Sequence, residues 1–545
     1  MTRSTRNVYK TLRLVLLLFF AGCSDRLPVS DFARTPSVAI TQKDTQNTAI
    51  GRLLKQEIDA HGGESGFHLL PASQDAFLMR ISLVQAAERS VDLQYFSVRN
   101  DTTGKLLLEA ILHAADRGVR VRMLLDDWNL KDFESGVEAL NTHPNIEIRV
   151  FNPFATENQS ALSSMGNYFT RFDQFARRMH NKALIADNQM AIMGGRNLGD
   201  EYFGAGSDFN FRDMDVLAAG PIVEKISGNF DKFWNSKEVY PLLALSIPKP
   251  DTNKVAQIRQ ELQLHWEEVM KSPMGTYLHE SPAIMQLKKK ETSLIWAPAE
   301  FSADSPYKIE KPENMTRSKP EKRIDKLADN AHHEFIIVSP YFVPLESGTR
   351  WLDSLARQGV SVRILTNSLS STDMVIAYAG YSHYREALVA SGVNLYELKA
   401  IGGKPPHHIF KGSSSQNSLH AKFYIIDRRD LIIGSFNMDP RSIEYNTEQV
   451  LVIHSKALAQ SAAETFERTI LPSTSFHVML ANGTLPSPAQ TRNMDPLLSV
   501  DPGQHLIWVA EQDGKKVQYD YEPDAGFRRQ FIGILFSGFP IDDDL

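Results

Sequence analysis

Met179-His180-Asn-Lys182-Ala-Leu-Ile-Ala-Asp187 is followed by Gly194-Gly195-Arg196-Asn197, and the pattern returns as Leu419-His420-Ala-Lys422-Phe-Tyr-Ile-Ile-Asp427 with Gly434-Ser435-Phe436-Asn437. The separation is 240 residues at His (420 − 180), Lys (422 − 182), Asp (427 − 187) and Asn (437 − 197). One His-x-Lys-x4-Asp pattern carries little weight, since a lone His-x-Lys on a strand is usually surface decoration. Two copies with the same trailing Gly and Asn mark an internal duplication.

In each copy an apolar run ends at the Asp, and a second run, Met190–Met193 or Leu431–Ile433, follows a short polar stretch. The pattern predicts two adjacent strands joined by a turn. Residues i and i+2 of a strand share a face, so each His and Lys should emerge side by side. The Gly lets backbone approach closely, and the Asn adds a neutral donor. Pooled in one pocket, the copies offer two imidazoles, two ammonium groups and two amides. That inventory suits an anionic phosphodiester: one His attacks phosphorus, the other protonates the leaving oxygen, and Lys and Asn hold the phosphoryl oxygens. A Lys beside each His opposes a cation site, so neither metal nor cofactor is expected.

The paired motifs resemble those of the phospholipase D superfamily, in which two such halves build one active site. Gly194–Gly204, Ser339-Pro-Tyr-Phe-Val-Pro344 and Ala379-Gly380-Tyr381 with Tyr384-Arg385 are similar to bacterial C-type cardiolipin synthases and related phospholipase D-like lipoproteins, from about residue 50 to the end. The resemblance implies a duplicated α/β/α sandwich about a pseudo-twofold axis. It makes His180 the nucleophile and His420 the acid and base, with Lys182, Lys422, Asn197, Asn437 and Ser435 toward phosphate. Asp187 and Asp427 complete the catalytic signature, although their place at turn ends suits a structural role. The resemblance also implies a carboxylate from the opposite half behind each His. Glu448 fits for His180 and Asp213 for His420, with Asp215 close by. Gly195 stands where the other copy has Ser435, so the site is not symmetric.

The repeat extends beyond the motifs. Ala115-Asp-Arg-Gly-Val-Arg-Val-Arg-Met-Leu124 is answered by Ala356-Arg-Gln-Gly-Val-Ser-Val-Arg-Ile-Leu365, Val91–Phe96 by Glu334–Val338, and His68–Pro71 by Leu294–Pro298. Strands alternating with helices predict a mainly parallel sheet covered on both faces in each half. The expected units are a first half at 64–245, a helical linker at 246–290, a second half at 291–475 and a tail at 476–545. The tail carries an amphipathic pattern at Phe527, Phe531, Ile534 and Leu535. Loops at 151–176 and 402–418 border the expected site.

At 545 residues, 42% hydrophobic, 23% charged and with net charge −6, the chain is a large globular protein without an overall polyanion-binding character. That disfavours a phosphodiester nuclease, and no nucleic-acid partner is expected. A single cysteine excludes an intramolecular disulfide. Arg3, Arg6, Lys10 and Arg13 precede a short apolar run that ends at Cys23. Residues 1–22 read as a secretory signal, and Phe20-Ala-Gly-Cys23 resembles a lipobox with Cys23 as the lipidated residue. Residues 23–63 read as a polar tether ending in a short helix. The expected location is therefore the cell envelope, lipid-anchored and facing the periplasm. Ser24 favours the outer membrane by resemblance to enterobacterial lipoproteins.

The expected activity is a phosphatidyltransferase joining phosphatidylglycerol to a second phospholipid such as phosphatidylethanolamine, at a membrane surface. The alternative is a phospholipase D that passes the phosphatidyl group to water.

Overall fold

A computed structural model of the chain describes residues 34–128, 134–153, 177–245, 252–272, 275–277, 294–309, 317–400, 416–481 and 505–526. The first half holds β1 (Ser65–Leu70), β2 (Ser90–Tyr95), β3 (Arg120–Asp126), β4 (Ile146–Phe151), β5 (Ala183–Ala186), β6 (Met190–Gly194), β7 (Asn210–Arg212), β8 (Asp215–Ala219) and β9 (Val239–Pro241). Then come β10 (Ile295–Ala297), β11 (Ala299–Ala303), β12 (Glu334–Val338), β13 (Ser361–Asn367), β14 (Asn394–Leu398), β15 (Asn417–Leu419), β16 (Phe423–Ile426), β17 (Asp430–Gly434), β18 (Gln449–His454), β19 (Ser475–Leu480), β20 (Leu506–Gln512) and β21 (Lys515–Tyr519).

One sheet runs β10-β1-β8-β6-β5-β2-β3-β4-β9 and the other β11-β18-β17-β16-β12-β13-β14-β19-β20-β21. From β1 to β9 and from β11 to β19 the orders are equivalent, so the duplication is structural. The register repeats too: Val91 faces Ala186 across β2–β5, and Phe335 faces Ile426 across β12–β16. Within these two sheets only β2-β3-β4 and β12-β13-β14 are parallel. The sheets are thus mixed rather than mainly parallel. The tight β5–β6 and β16–β17 turns force antiparallel pairing, whereas helical crossovers give the parallel part. Each connection is three residues long, 187–189 and 427–429, and its first two positions, Asp187 and Asn188 or Asp427 and Arg428, take φ near +50°.

Strand side chains alternate between two cores. Ala183 and Ile185 of β5 and Phe423 and Ile425 of β16 enter one shared core. Leu184 and Ala186 face the outer core of the first half, and Tyr424 and Ile426 that of the second. The shared core also takes Phe230 and Trp234 from helix Ile222–Trp234 and Phe466 from helix Lys456–Thr469. The first of these helices touches β8 and β11, and the second touches β17 and β1. Each half therefore lends one helix to the other, which is the pseudo-twofold contact.

Several boundaries differ from expectation. Residues 34–63 are not a loose tether: Arg34 donates to the carbonyls of Ser236 and Lys237, Gln42 to those of Asn188 and Gly220, and helix Ala49–Ala60 buries Ile50 and Leu54. β10 joins the first sheet, so the counterpart of β1 is β11, a few residues later than the sequence repeat suggests. β19 pairs with β14 as β9 pairs with β4, so residues 476–480 belong to the second half. Helix Thr252–Met270 packs outside the first half through Leu262 and Val269, as its pattern predicts. Residues 1–33 with Cys23, the greater part of both loops beside the site and the 527–535 pattern lie outside the described residues. Among the described residues no helix is long and apolar enough to cross a membrane.

Candidate active site

The two His-x-Lys segments precede their strands rather than lying on them: β5 begins at Ala183 and β16 at Phe423. Their backbone pairs with the opposite half. His180 N–H donates to the Thr447 carbonyl at 3.0 Å, and Thr447 N–H to that of Arg178 at 2.9 Å. In the other direction β15 pairs in parallel with β7, and His420 N–H donates to the Arg212 carbonyl at 2.8 Å. Equivalent side chains hold the approach: Met179 N–H donates to Asp126 Oδ2 at 2.9 Å, and Leu419 N–H to Asn367 Oδ1 at 2.8 Å. Gln449 adds a further tie, accepting from Asn181 and donating to the Lys182 carbonyl at 3.0 Å. The interface between halves is thus also what fixes the two histidines.

Behind each imidazole stands a buried carboxylate from the other half. Glu448 lies 3.0 Å from His180 Nδ1 through both oxygens, and Asp213 Oδ2 lies 2.7 Å from His420 Nδ1. The geometry selects Asp213 over Asp215, whose carboxylate pairs with Arg80 at 2.9 Å and Arg196 at 3.1 Å. A carboxylate on Nδ1 fixes the proton there and leaves Nε2 to present a lone pair.

The two pairs are built differently. The hydroxyl of Ser435 donates to Glu448 Oε2, and that of Ser442 donates to Oε1 at 2.9 Å. Ser435 therefore supports the carboxylate behind His180, which corrects its assignment to the phosphate. On the other side a Cβ at Gly195 would lie 2.5 Å from Asp213 Oδ1. The shorter carboxylate occupies the space that a serine side chain would need, so Gly195 pairs with Asp213 as Ser435 pairs with Glu448.

Lys182 Nζ donates to the His180 carbonyl at 2.6 Å and sits 5.4 Å from the Phe96 ring centre; Lys422 Nζ donates to the His420 carbonyl at 2.5 Å and sits 5.9 Å from that of Tyr341. Asn197 gives one amide hydrogen to the Tyr202 hydroxyl at 3.0 Å, and among the described residues the buried side-chain oxygens of Asn197 and Asn437 have no hydrogen-bond partner. Burial, then the lysine charges, hold both histidines well below their ordinary pKa. Burial also pulls Lys182 well down and Lys422 to about 8, and pushes Glu448 up to about 7. A desolvated cluster of this kind gains from an anion that restores charge balance. Among the described residues no group of three or more His, Cys, Asp and Glu side chains is placed to hold a metal ion.

Asp187 and Asp427 are not in the pocket. Asp187 accepts from the backbone N–H groups of Glu88, Arg89 and Ser90, and Asp427 from those of His332, His333 and Glu334. Each fastens its hairpin turn to the start of the neighbouring strand. Their place in the catalytic set is thus corrected, and the structural reading of the turn ends stands.

The aromatic walls and the hydroxyl of Ser442 escape a motif reading. Phe96 meets His180 edge-on at 5.4 Å, while Tyr202, Phe211 and Tyr341 surround His420 at 5.2, 4.7 and 6.4 Å. Tyr202 lies in the Gly194–Gly204 stretch, Tyr341 in the Ser339–Pro344 stretch and Phe96 at the end of the repeated Val91–Phe96, which were the signals available.

The family model described as "Cardiolipin synthase, PLD-like domain" matches residues 81–234 and 324–470, together more than half of the chain. Cardiolipin synthase C of Escherichia coli (strain K12) is 39% identical over 410 residues, 74% of this chain and 85% of that protein. An uncharacterized protein of Helicobacter pylori (strain J99) is 30% identical over 96% of this chain and 97% of its own. Among solved structures, phosphatidylserine synthase of Haemophilus influenzae Rd KW20 superposes with a TM-score of 0.53 at 13% identity, covering 78% of this chain and 91% of that one, and so shares the fold. With its duplicated sheets and cross-paired histidines, the chain is an enzyme of the phospholipase D superfamily and belongs to the PLD-like cardiolipin synthase family.

Proposed function

We propose that this protein transfers a phosphatidyl group between phospholipid head groups through a phosphohistidine, making cardiolipin from phosphatidylglycerol and a second phospholipid. The observation that carries the reading is the reciprocal pairing of His180 with Glu448 and of His420 with Asp213 across the two halves. In the first step His180 Nε2 forms a bond to phosphorus as the phosphorus–head-group oxygen bond breaks. His420, protonated at Nε2, gives that proton to the departing oxygen. In the second step His420 takes the proton of the incoming hydroxyl, the new P–O bond forms and the N–P bond breaks. Nε2 of His180 recovers its lone pair, and His420 is again protonated.

The order of roles follows the superfamily motif order. Burial keeps both imidazoles neutral in the free enzyme, which suits His180 as a nucleophile. A bound phosphodiester brings a negative charge, raises His420 toward its protonated form and readies it as the acid. Lys182 and Lys422 supply the positive charge that this chemistry needs on the phosphoryl oxygens. The lipidated Cys23 would hold the enzyme on the periplasmic face of the outer membrane; Cys23→Ser should then move it from the membrane to the soluble fraction.

The test is purified protein on mixed vesicles of phosphatidylglycerol and phosphatidylethanolamine, with products read by mass spectrometry. Cardiolipin supports the transferase, and phosphatidic acid alone would assign a hydrolase. His180→Ala should abolish both turnover and the trapped phosphatidyl adduct; near-normal head-group release by that variant would sink the mechanism.

A further inference from the structure

The two halves join their first strand to the next helix by very different lengths. β1 ends at Leu70 and its helix begins at Ser73, whereas β11 ends at Ala303 and its helix begins at Lys319. Leu70 and Ser302 are equivalent: Leu70 faces Asp215, which pairs with Gly194, and Ser302 faces Val450, which pairs with Gly434. Two residues on, Ala72 therefore stands where Asp304 stands. Ala72 makes no side-chain cap, whereas Asp304 anchors a buried cluster behind His180. The side chains of Asp304 and of Lys308, in the turn Pro306–Ile309, are 3% and 6% exposed and pair at 2.9 Å. Asp304 Oδ1 accepts from Lys319 N–H at 2.8 Å and Oδ2 from Glu448 N–H at 3.1 Å. The Asp304 N–H in turn donates to the Glu448 carbonyl at 2.9 Å. Lys308 Nζ also donates to the Ser442 carbonyl at 3.0 Å. That carbonyl lies in a wide turn closed by Asn446 N–H on the Arg441 carbonyl, and the next donor in the series, Thr447 N–H, crosses instead to Arg178 of the other half. Lys308 thus replaces a backbone donor that the interface between the halves has taken, and Ser442 keeps its hydroxyl on Glu448 Oε1.

We propose that the Asp304–Lys308 ion pair is a positioning device for the nucleophile: it fixes Glu448 by its backbone and through Ser442, and sets a positive charge near the carboxylate that backs His180. The inference rests on the reading above, in which His180 attacks phosphorus. Around Glu448 stand His180, Lys182 and Lys422 of the pocket, Asp439 ahead of Ser442, Tyr424 of β16, and Asp304 with Lys308. Lys182 and Lys422 serve the substrate phosphate, so an anion in the pocket offsets their charge. Lys308 is tied to Asp304 and Ser442, and its place does not depend on substrate. Asp304 opposes part of the Lys308 charge, but it meets Glu448 at the backbone, whereas Lys308 reaches the turn whose hydroxyl touches the carboxylate. Lys308 accordingly draws Glu448 down against the burial that raises it to about 7. Near neutral pH that pull helps decide how much Glu448 is ionised, and only the ionised form balances the imidazolium created by attack. Asp213, behind His420, is held instead by Arg196 on its carbonyl and by Met214 N–H on Oδ1, both at 2.7 Å. The longer connection thus equips the nucleophile's side of a duplicated site.

The test is the pH profile of kcat/KM for head-group release from phosphatidylglycerol vesicles by the whole protein, with thermal melts at each pH. The acid limb reports the His180–Glu448 pair titrating together in the free enzyme. Lys308→Met should move that limb up by about one pH unit, the lower end of what one nearby opposite charge does. The loss is then about 10-fold on the acid limb and closes as pH rises. The fall through about pH 8, which belongs to Lys422, should stay in place. Lys308→Arg, which keeps the charge, should return the limb most of the way. A merely structural role has a different signature: kcat/KM falls by one factor at every pH, in step with Tm. That result, an acid limb unmoved in Lys308→Met, or an equal shift in Lys308→Arg overturns the assignment. Where Lys308→Met does not fold, Lys308→Gln, which can still donate to Ser442 without the charge, is read by the same criteria. The broader mechanism is judged separately by His180→Ala: a variant that still releases head group sinks the phosphohistidine, whereas an unmoved limb with an inactive His180→Ala sinks only the role of Lys308.

Discussion

Replacing Glu448 with Gln separates what the site needs for chemistry from what it needs for folding. Glu448 meets His180 Nδ1 at 3.0 Å with both oxygens and accepts from Ser435 and Ser442. Gln keeps the shape, and both hydroxyls can rotate to serve an amide. What is lost is the charge that balances the imidazolium formed when His180 bonds to phosphorus, and the exclusive preference for a proton on Nδ1. An amide NH2 can donate to Nδ1 and move the proton to Nε2, where it blocks attack. Changes of this type behind a catalytic imidazole lower kcat on the order of 10³- to 10⁴-fold. Stability should move the other way. Burial raises Glu448 from 4.5 to about 7, so its ionisation disfavours the folded state. That contribution is absent below the unfolded pKa and complete once pH passes the folded one. At about 1.36 kcal/mol per unit, the wild type gives up on the order of 3 kcal/mol above pH 7 that the Gln variant keeps. The variant should therefore melt no lower than wild type at pH 5 and gain on it by pH 8. The assay is head-group release, with adduct trapping and thermal melts at both pH values. A folded variant with kcat within threefold of wild type would refute the role given to Glu448. Activity lost only in step with a lower Tm would refute the separation.

Asp213→Asn should slow transfer most for poor leaving groups, because it weakens proton delivery by His420, and a lipid with a nitrophenol head group should recover most of the lost rate; equal losses for both lipids would remove His420 from that role. Burial brings Lys422 to about 8, so it is charged below that value and loses its proton above it. The kcat/KM for lipid should fall as pH rises through about 8, and Lys422→Arg should shift that limb upward, which a pH profile checks directly. Asp187→Ala and Asp427→Ala should cost stability rather than chemistry. The loss is about 3 to 4 kcal/mol at Asp187, where the buried Ser90 N–H is orphaned, and about 2 kcal/mol at Asp427, whose partners His332 and His333 are exposed to water. Denaturant melts measure both values, and a folded Asp187→Ala protein without turnover would return that carboxylate to the catalytic set.

The duplication, the two histidines and the two lysines were legible along the chain, whereas Glu448 and Asp213 came only from the family resemblance, with Asp215 left open. Each repeat carries its own local pattern, and a 240-residue offset survives in one dimension. The hairpin turns were legible for the same reason, because Asp187 and Asp427 act on strands of their own half. Three things were decided only in three dimensions. The choice of Asp213 over Asp215 depended on Arg80 and Arg196 claiming the latter from elsewhere in the fold. The role of Ser435 depended on whether its hydroxyl faced the phosphate or the carboxylate behind His180. The aromatic walls, Phe96 beside His180 and Tyr202 and Tyr341 beside His420, come from segments that only packing brings beside the histidines. Sequence records the period of a repeat, but not which buried groups compete for one partner. That competition is settled by distance, and distance between the halves exists only after the helices Ile222–Trp234 and Lys456–Thr469 have closed the core between them.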